Sequence, residues 1–389
     1  MLTKRINALS ESITIAVSNL AQELKAQGKD ILSFSAGEPD FDTPQVIKDA
    51  AIKAINDGFT KYTAVDGIPA LKKAIIDKLQ RENGLTYTPA QVIVNNGAKH
   101  SLFNLFSAVV EEGDEVIIPA PYWVTYPEIV KYCGGTPVEI DTDDASGFKI
   151  TPEQLKNAIT PKTKMIVLTS PSNPTGSVYS KEELTALGKV LEGTDILVAS
   201  DEMYEKLIYD GEFTSSAAVS EDMFKRTITI NGLSKSVAMT GWRFGYMAAH
   251  RTDIIQATKT LQSQSTSNIN SITQKAAIVG LDGSADKDVE MMRIEFKKRR
   301  DVAVELFNAI DGLSVIKPDG AFYLFVNIKE VMSDSLKFSK DLLEQTGVAV
   351  VPGSGFGSDG YIRFSFATDM ESIKEGIKRI EGFVKTLQK

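Results

Sequence analysis

Between Gln91 and Ala249 the chain alternates short β-branched runs with longer stretches whose apolar positions recur every three or four residues. Val92-Ile93-Val94 precedes Asn95-Asn96-Gly97, after which Leu102, Leu105, Phe106 and Val109 mark one face of a helix. Glu115 to Ile118 reads as a strand ending at Pro119. Lys164 to Ser170 reads as another, running into Ser172-Asn173-Pro174-Thr175-Gly176, and Lys181 to Leu191 as a helix. Two further strand-like runs end at Asp201 and at Asn231. This alternation predicts an α/β fold with a largely parallel sheet covered on both faces by helices. In such sheets ligands bind beyond the carboxyl ends of the strands, so the polar segments just past them are where chemistry is expected.

From Ala285 to Ile310 no Gly or Pro interrupts a charged amphipathic stretch, which predicts one long helix. Strand-like runs at 321–328 and 361–367 follow, then a helix from about Met370 to Leu387. This tail reads as a smaller α+β domain joined by the first forty or so residues. The expected division is an N-terminal arm and part of the small domain at 1–45, a large domain at 46–284, and the small C-terminal domain at 285–389.

Composition narrows the function classes. A chain of 389 residues is long enough for two domains, and 42% apolar with 24% charged residues is the balance of a soluble globular protein. The net charge of -8 is spread without a basic stripe, which argues against a nucleic-acid partner. Cys133 is the only cysteine and His100 and His250 the only histidines, so neither a disulfide nor a His- or Cys-built metal centre is expected. No apolar run approaches membrane-spanning length, and Met1 to Ser12 lacks the apolar core of a secretory signal; a cytoplasmic location is expected.

The segment Asn231 to Arg243 carries the strongest chemical signal. Lys235 follows a β-rich run amid small residues (Gly232, Ser234, Ala238, Gly241), and Arg243 lies eight positions on. Such crowding by small side chains suggests a flat, bulky group against the backbone, and a lysine beside it can form a Schiff base with an aldehyde. Pyridoxal 5′-phosphate would require companions. Asp201, at a strand end, either holds the pyridine nitrogen protonated or caps a following helix. Tyr204 and Asn173 could donate to the ring's phenolate oxygen, although Asn173 also suits a plain turn. Gly97, Ala98 and Lys99 open a helix whose N-terminus offers free N–H groups to a phosphate. A cation there opposes the helix dipole unless an anion faces it, so Lys99 either meets an anion or swings into solvent. Arg243 adds a fixed charge, and Trp123 either stacks on a planar ring or fills a core corner. Arg363, between Ile362 and Phe364, suits bidentate capture of a carboxylate or an ion pair with a neighbouring acid.

Together these residues resemble the pyridoxal-phosphate-dependent aspartate aminotransferase family over nearly the whole chain. The matching stretches lie at 36–44, 61–69, 121–128, 170–176, 200–205, 231–246, 318–325 and 348–357. The resemblance implies a mostly parallel seven-stranded sheet flanked by helices, plus a smaller α+β domain. It implies Lys235 as the Schiff-base lysine, Asp201 as partner of the pyridine nitrogen, and Asn173 with Tyr204 as phenolate donors. Gly97, Ala98, Lys99 and Arg243 fall at phosphate-binding positions, and Tyr62 matches a tyrosine supplied by a second subunit, which implies a homodimer with shared active sites. Trp123 matches the ring-stacking tryptophan, Arg363 the arginine for the substrate α-carboxylate, and Gly37 a backbone contact to that carboxylate. The implied reaction moves the amino group of aspartate to 2-oxoglutarate. The phosphate-loop motif, Gly97-Ala98-Lys99-His100, resembles a branch reading Gly-Gly-Lys-Gln, whose lysine assists recognition of acidic side chains. Competing expectations are an aminotransferase for aromatic amino acids, kynurenine, alanine or prephenate, and a carbon–sulfur β-lyase.

Overall fold

The structure, a computed structural model, describes residues 2–388. Its strands are β1 (Leu32–Ser33), β2 (Val92–Asn95), β3 (Glu115–Ala120), β4 (Thr136–Asp141), β5 (Thr163–Thr169) and β6 (Leu197–Asp201). They continue with β7 (Thr227–Gly232), β8 (Gly245–Ala249), β9 (Tyr323–Asn327), β10 (Val348–Ala349), β11 (Val351–Pro352) and β12 (Tyr361–Ser365). Seven form one sheet in the order β2-β8-β7-β6-β5-β3-β4. All neighbours in it run parallel except β8, which is antiparallel to both β2 and β7.

Period-two burial explains why helices cover both faces. Ile93 and Met247 join the cluster containing Leu102, Leu105 and Phe106 of the helix Ala98–Val109. Val92, Val94, Tyr246 and Ala248 point the other way, onto Leu71, Ile75 and Leu79 of the helix Pro69–Asn83. Two strands of this sheet escaped sequence reading. β4 is a sheet edge whose Thr136, Glu139 and Asp141 are exposed, so it shows no apolar run. β8 is a short run of small and apolar residues directly after Arg243.

Register puts the chemistry on one line. Thr169 of β5 pairs with Asp201 of β6, and Asp201 with Ile230 of β7. Because β8 is antiparallel, its first residue, Gly245, lies beside Asn95 and Gly232 at that same edge.

The long helix spans Asp286–Asn308 and the last helix Met370–Leu387, the latter started by Asp369, whose carboxylate accepts from the Ser372 amide at 2.8 Å. A second sheet, β11-β12-β9, is antiparallel, and β1 pairs parallel with β10, bringing residues 32–33 beside 348–349.

Candidate active site

The strand ends of the large sheet face β9, β12 and the helix Ile13–Ala26 across a cavity of about 890 Å³. Lys235, Asp201, Tyr204, Asn173, Ala98, Lys99, Trp123, Arg243, Gly37 and Arg363 all line it. Gly97 lies directly behind Arg243, while Tyr62 lies elsewhere and is 92% exposed.

Lys235 is half-buried and donates from Nζ to the Gly37 carbonyl. Burial lowers its ammonium pKa to about 8; Glu38 opposes the fall, the Arg363 and Arg243 charges add to it, and Asp201 opposes it. The small residues around Lys235 have separate reasons for being small. A Cβ on Gly232 would come 2.6 Å from the Phe244 carbonyl of the adjoining chain, so that glycine serves the close approach of β7 to β8. Ala238 has φ 51°, Gly241 faces open space, and of the four only Ser234 lines the cavity. The expectation that all four make room for a flat ligand is therefore corrected: most of the crowding belongs to the turn between two strands.

Asp201 is the last residue of β6 and is buried. It caps no helix. Its Oδ1 accepts from the Met203 amide at 3.2 Å, and Tyr126 donates its hydroxyl to Oδ2 at 2.7 Å. Burial pushes its pKa up, opposed by the Tyr126 hydroxyl, the Met203 amide and the Lys235 charge. Since the Tyr126 proton goes to Asp201, its oxygen accepts from Thr169 Oγ1 at 2.9 Å, giving a directed chain from Thr169 through Tyr126 to Asp201.

Arg363 is 1% exposed and has no carboxylate partner among the described residues, so the ion-pair alternative falls. It donates to Asn173 Oδ1 at 2.9 Å and to the Ser35 carbonyl at 2.8 Å, while its Nε is buried without a partner. Arg363 has only donors, so Asn173 must turn its oxygen toward it and is left with its amide nitrogen as the free donor. A buried guanidinium lacking a counter-ion is a prepared anion site.

At the other end, Gly97 precedes the helix Ala98–Val109 with φ 87°. A Cβ there would lie 2.5 Å from Arg243 Nη2, so glycine is required both by the left-handed backbone and by the arginine packed on it. Arg243 itself sits at φ 56° and is held by a 2.8 Å bond to the Thr240 carbonyl. The Gly97 carbonyl takes the His100 and Ser101 amides, which leaves the first-turn amides of Ala98 and Lys99 open. The Lys99 amine stands 4.8 Å over the Trp123 ring; its pKa is lowered by burial and then by Arg243. Trp123 is half-buried and meets Tyr126 edge-on at 5.5 Å, so it belongs to the cavity wall.

Sequence reasoning missed Tyr126, Tyr323, Ser35 and Glu38. Tyr126 and Tyr323 lie inside motifs already singled out, but their hydroxyl partners stand 75 and 119 residues away in the chain.

Residues 29–380 match the family described as aminotransferase class I and II. The fold is that of a transaminase, and the chain belongs to this family. It is 50% identical over 391 residues to an aspartate aminotransferase of Bacillus sp. (strain YM-2), covering 99% of both chains. It is 49% identical to an aspartate/prephenate aminotransferase of Nitrosomonas europaea, covering 97% of this chain and 98% of that one. A solved aspartate aminotransferase of Thermus thermophilus with maleate superposes with a TM-score of 0.95 at 43% identity, over 98% of this chain and 99% of that one.

Proposed function

We propose that this chain is a pyridoxal 5′-phosphate-dependent aspartate aminotransferase, converting L-aspartate and 2-oxoglutarate to oxaloacetate and L-glutamate. One observation carries the reading: a lysine amine with a depressed pKa shares a cavity with a buried acid and with a buried arginine that has no counter-ion. The donor set fits the cofactor. Ala98 and Lys99 amides with Arg243 would hold its phosphate, Asp201 its ring nitrogen, Tyr204 and the Asn173 amide its ring oxygen, and Trp123 its face. When bound, the cofactor supplies an aldehyde that condenses with amines and a ring that accepts the electron pair left when a substrate α-proton departs.

Arg363 would take the substrate α-carboxylate, its guanidinium fixing the Cα–H bond relative to Lys235. With a pKa near 8, the Lys235 amine is neutral often enough at neutral pH to accept that proton at Nζ, and its bond to the Gly37 carbonyl aims it. Lys99 would meet the distal carboxylate, giving preference to acidic substrates. The donor leaves as its 2-oxo acid before the acceptor enters, which makes the kinetics ping-pong. The exposed Tyr62 suits a homodimer in which it reaches the phosphate site of the second subunit. Prephenate as an alternative acceptor is favoured by a cavity whose lining also includes Ser18, Asn19 and Gln22 of the helix Ile13–Ala26, and by the Nitrosomonas relative.

Single-turnover spectra of the cofactor-loaded protein test the proposal. L-aspartate and L-glutamate should bleach the visible band fastest among a panel of amino acids, and borohydride should fix the cofactor on Lys235. Aspartate reacting no faster than alanine would refute the substrate assignment. Absence of label on Lys235 would refute the mechanism.

A further inference from the structure

Tyr323 opens β9 and is fully buried at the cavity wall. In the β9–β12 ladder it pairs with Ser365, and Arg363 with Phe325, so Tyr323 and Arg363 are diagonal neighbours on one sheet face. That register brings the Tyr323 ring to 4.4 Å from Arg363 Cζ, with Phe356 at 5.1 Å. At its other end the Tyr323 hydroxyl lies 2.8 Å from that of Tyr204, and 3.4 Å from where a Cβ on Gly37 would stand. One side chain thus touches the carboxylate anchor and the ring-oxygen donor, and its hydroxyl borders the position a side chain on Gly37 would take.

Each phenol carries a single proton, so the 2.8 Å contact has a direction. If Tyr204 gave its proton to Tyr323, it would present only lone pairs to an acceptor in the cavity. If Tyr323 donates, the Tyr204 proton is free for that acceptor. The Arg363 charge against the Tyr323 ring draws electron density from its hydroxyl and makes it the better donor of the two. Among the described residues Tyr204 is the only hydrogen-bond partner of that hydroxyl, so this arrangement also leaves no donor unused. Resting on the function proposed above, we propose that Tyr323 is a positioning residue: it orients the Tyr204 proton toward the cofactor ring and holds the Arg363 guanidinium in plane for the substrate carboxylate.

The two roles separate by substitution. Tyr323→Phe keeps the ring and removes the relay. The pH midpoint of the visible band in the loaded enzyme should rise by a few tenths to about one unit, because the Tyr204 oxygen no longer accepts the Tyr323 proton that fixes its orientation and strengthens its own donation to the ring oxygen. The dissociation constant for maleate, an unreactive dicarboxylate, should stay within about twofold of wild type. Tyr323→Leu removes the platform too, and should weaken maleate about tenfold with the same band shift. In a Tyr204→Phe background, Tyr323→Phe should add no further shift, since the relay has lost its recipient. Near-ultraviolet circular dichroism checks folding, and the Phe variants decide the relay even if the Leu variant does not fold. A band midpoint unmoved by Tyr323→Phe, or shifts that add in the double variant, overturns the relay. Maleate affinity unchanged in a folded Tyr323→Leu overturns the platform. Wild-type protein that takes up no cofactor would instead remove the aminotransferase function, and this inference with it.

Discussion

Glu202→Gln should make the protein more stable above neutral pH. Glu202 follows Asp201 directly but points away from the cavity, and is 1% exposed. Its Oε1 accepts from Ser200 Oγ and Ser215 Oγ, both at 2.8 Å, and from the Ser216 amide at 3.2 Å. Its Oε2 is buried without a partner. Burial, reinforced by the Glu205 charge, raises the pKa from 4.5 to about 7, while Ser215, Ser200 and Lys78 oppose the rise. The folded chain therefore holds a proton that the unfolded chain has already released. Stability is unaffected by this group below the unfolded pKa, declines as pH climbs toward the folded value, and is constant beyond it. At about 1.4 kcal/mol per pKa unit, the full loss is on the order of 3 kcal/mol.

Glutamine stays neutral at every pH, and its carbonyl can keep the three donors now on Oε1. The difference in urea midpoint between variant and wild type, multiplied by the slope, should be near zero or slightly negative at pH 5. It should reach about 2–3 kcal/mol in the variant's favour at pH 8.5. A difference independent of pH, or one that favours wild type increasingly as pH rises, would show that Glu202 is ionised and compensated, and would refute the reasoning.

The same sign logic applies to Lys235. With its pKa near 8, apoenzyme should capture the cofactor aldehyde about tenfold faster per pH unit up to pH 8 and level off above, followed by stopped-flow absorbance. Lys99→Ala should lower the ratio of kcat/KM for aspartate over alanine about five- to tenfold, because only the distal carboxylate loses a partner; steady-state assays with both donors check this. Gly97→Ala forces a side chain into a left-handed backbone and against Arg243. It should weaken cofactor binding at least about tenfold, measured by titrating apoenzyme fluorescence.

The order and kinds of element were legible where local chemistry sufficed. The helix Lys181–Leu191 ends where its periodicity does, and begins at a box in which the Glu183 amide donates to Ser180 Oγ while its carboxylate accepts from the Ser180 amide. The antiparallel setting of β8 was not legible, since nothing in Gly245–Ala249 states which strands it joins. The small residues around Lys235 were misread for a related reason: glycine is demanded by the Phe244 carbonyl across the sheet as readily as by a ligand.

The candidate site divides the same way. Side-chain identity alone determined which chemistries were available: an amine able to bond an aldehyde, a carboxylate at a strand end, a helix N-terminus behind a glycine, and an arginine inside an apolar strand. Tertiary structure decided which of their alternatives was realised. Arg363 meets no acid and Asp201 caps no helix, while Tyr126 gives its proton to an acid far away in the chain and the Tyr323 hydroxyl pairs with an equally distant one. The physical reason is range: propensity, capping and periodicity act within a few residues, whereas burial and the pairing of polar atoms depend on whatever distant segment the packed sheet brings alongside.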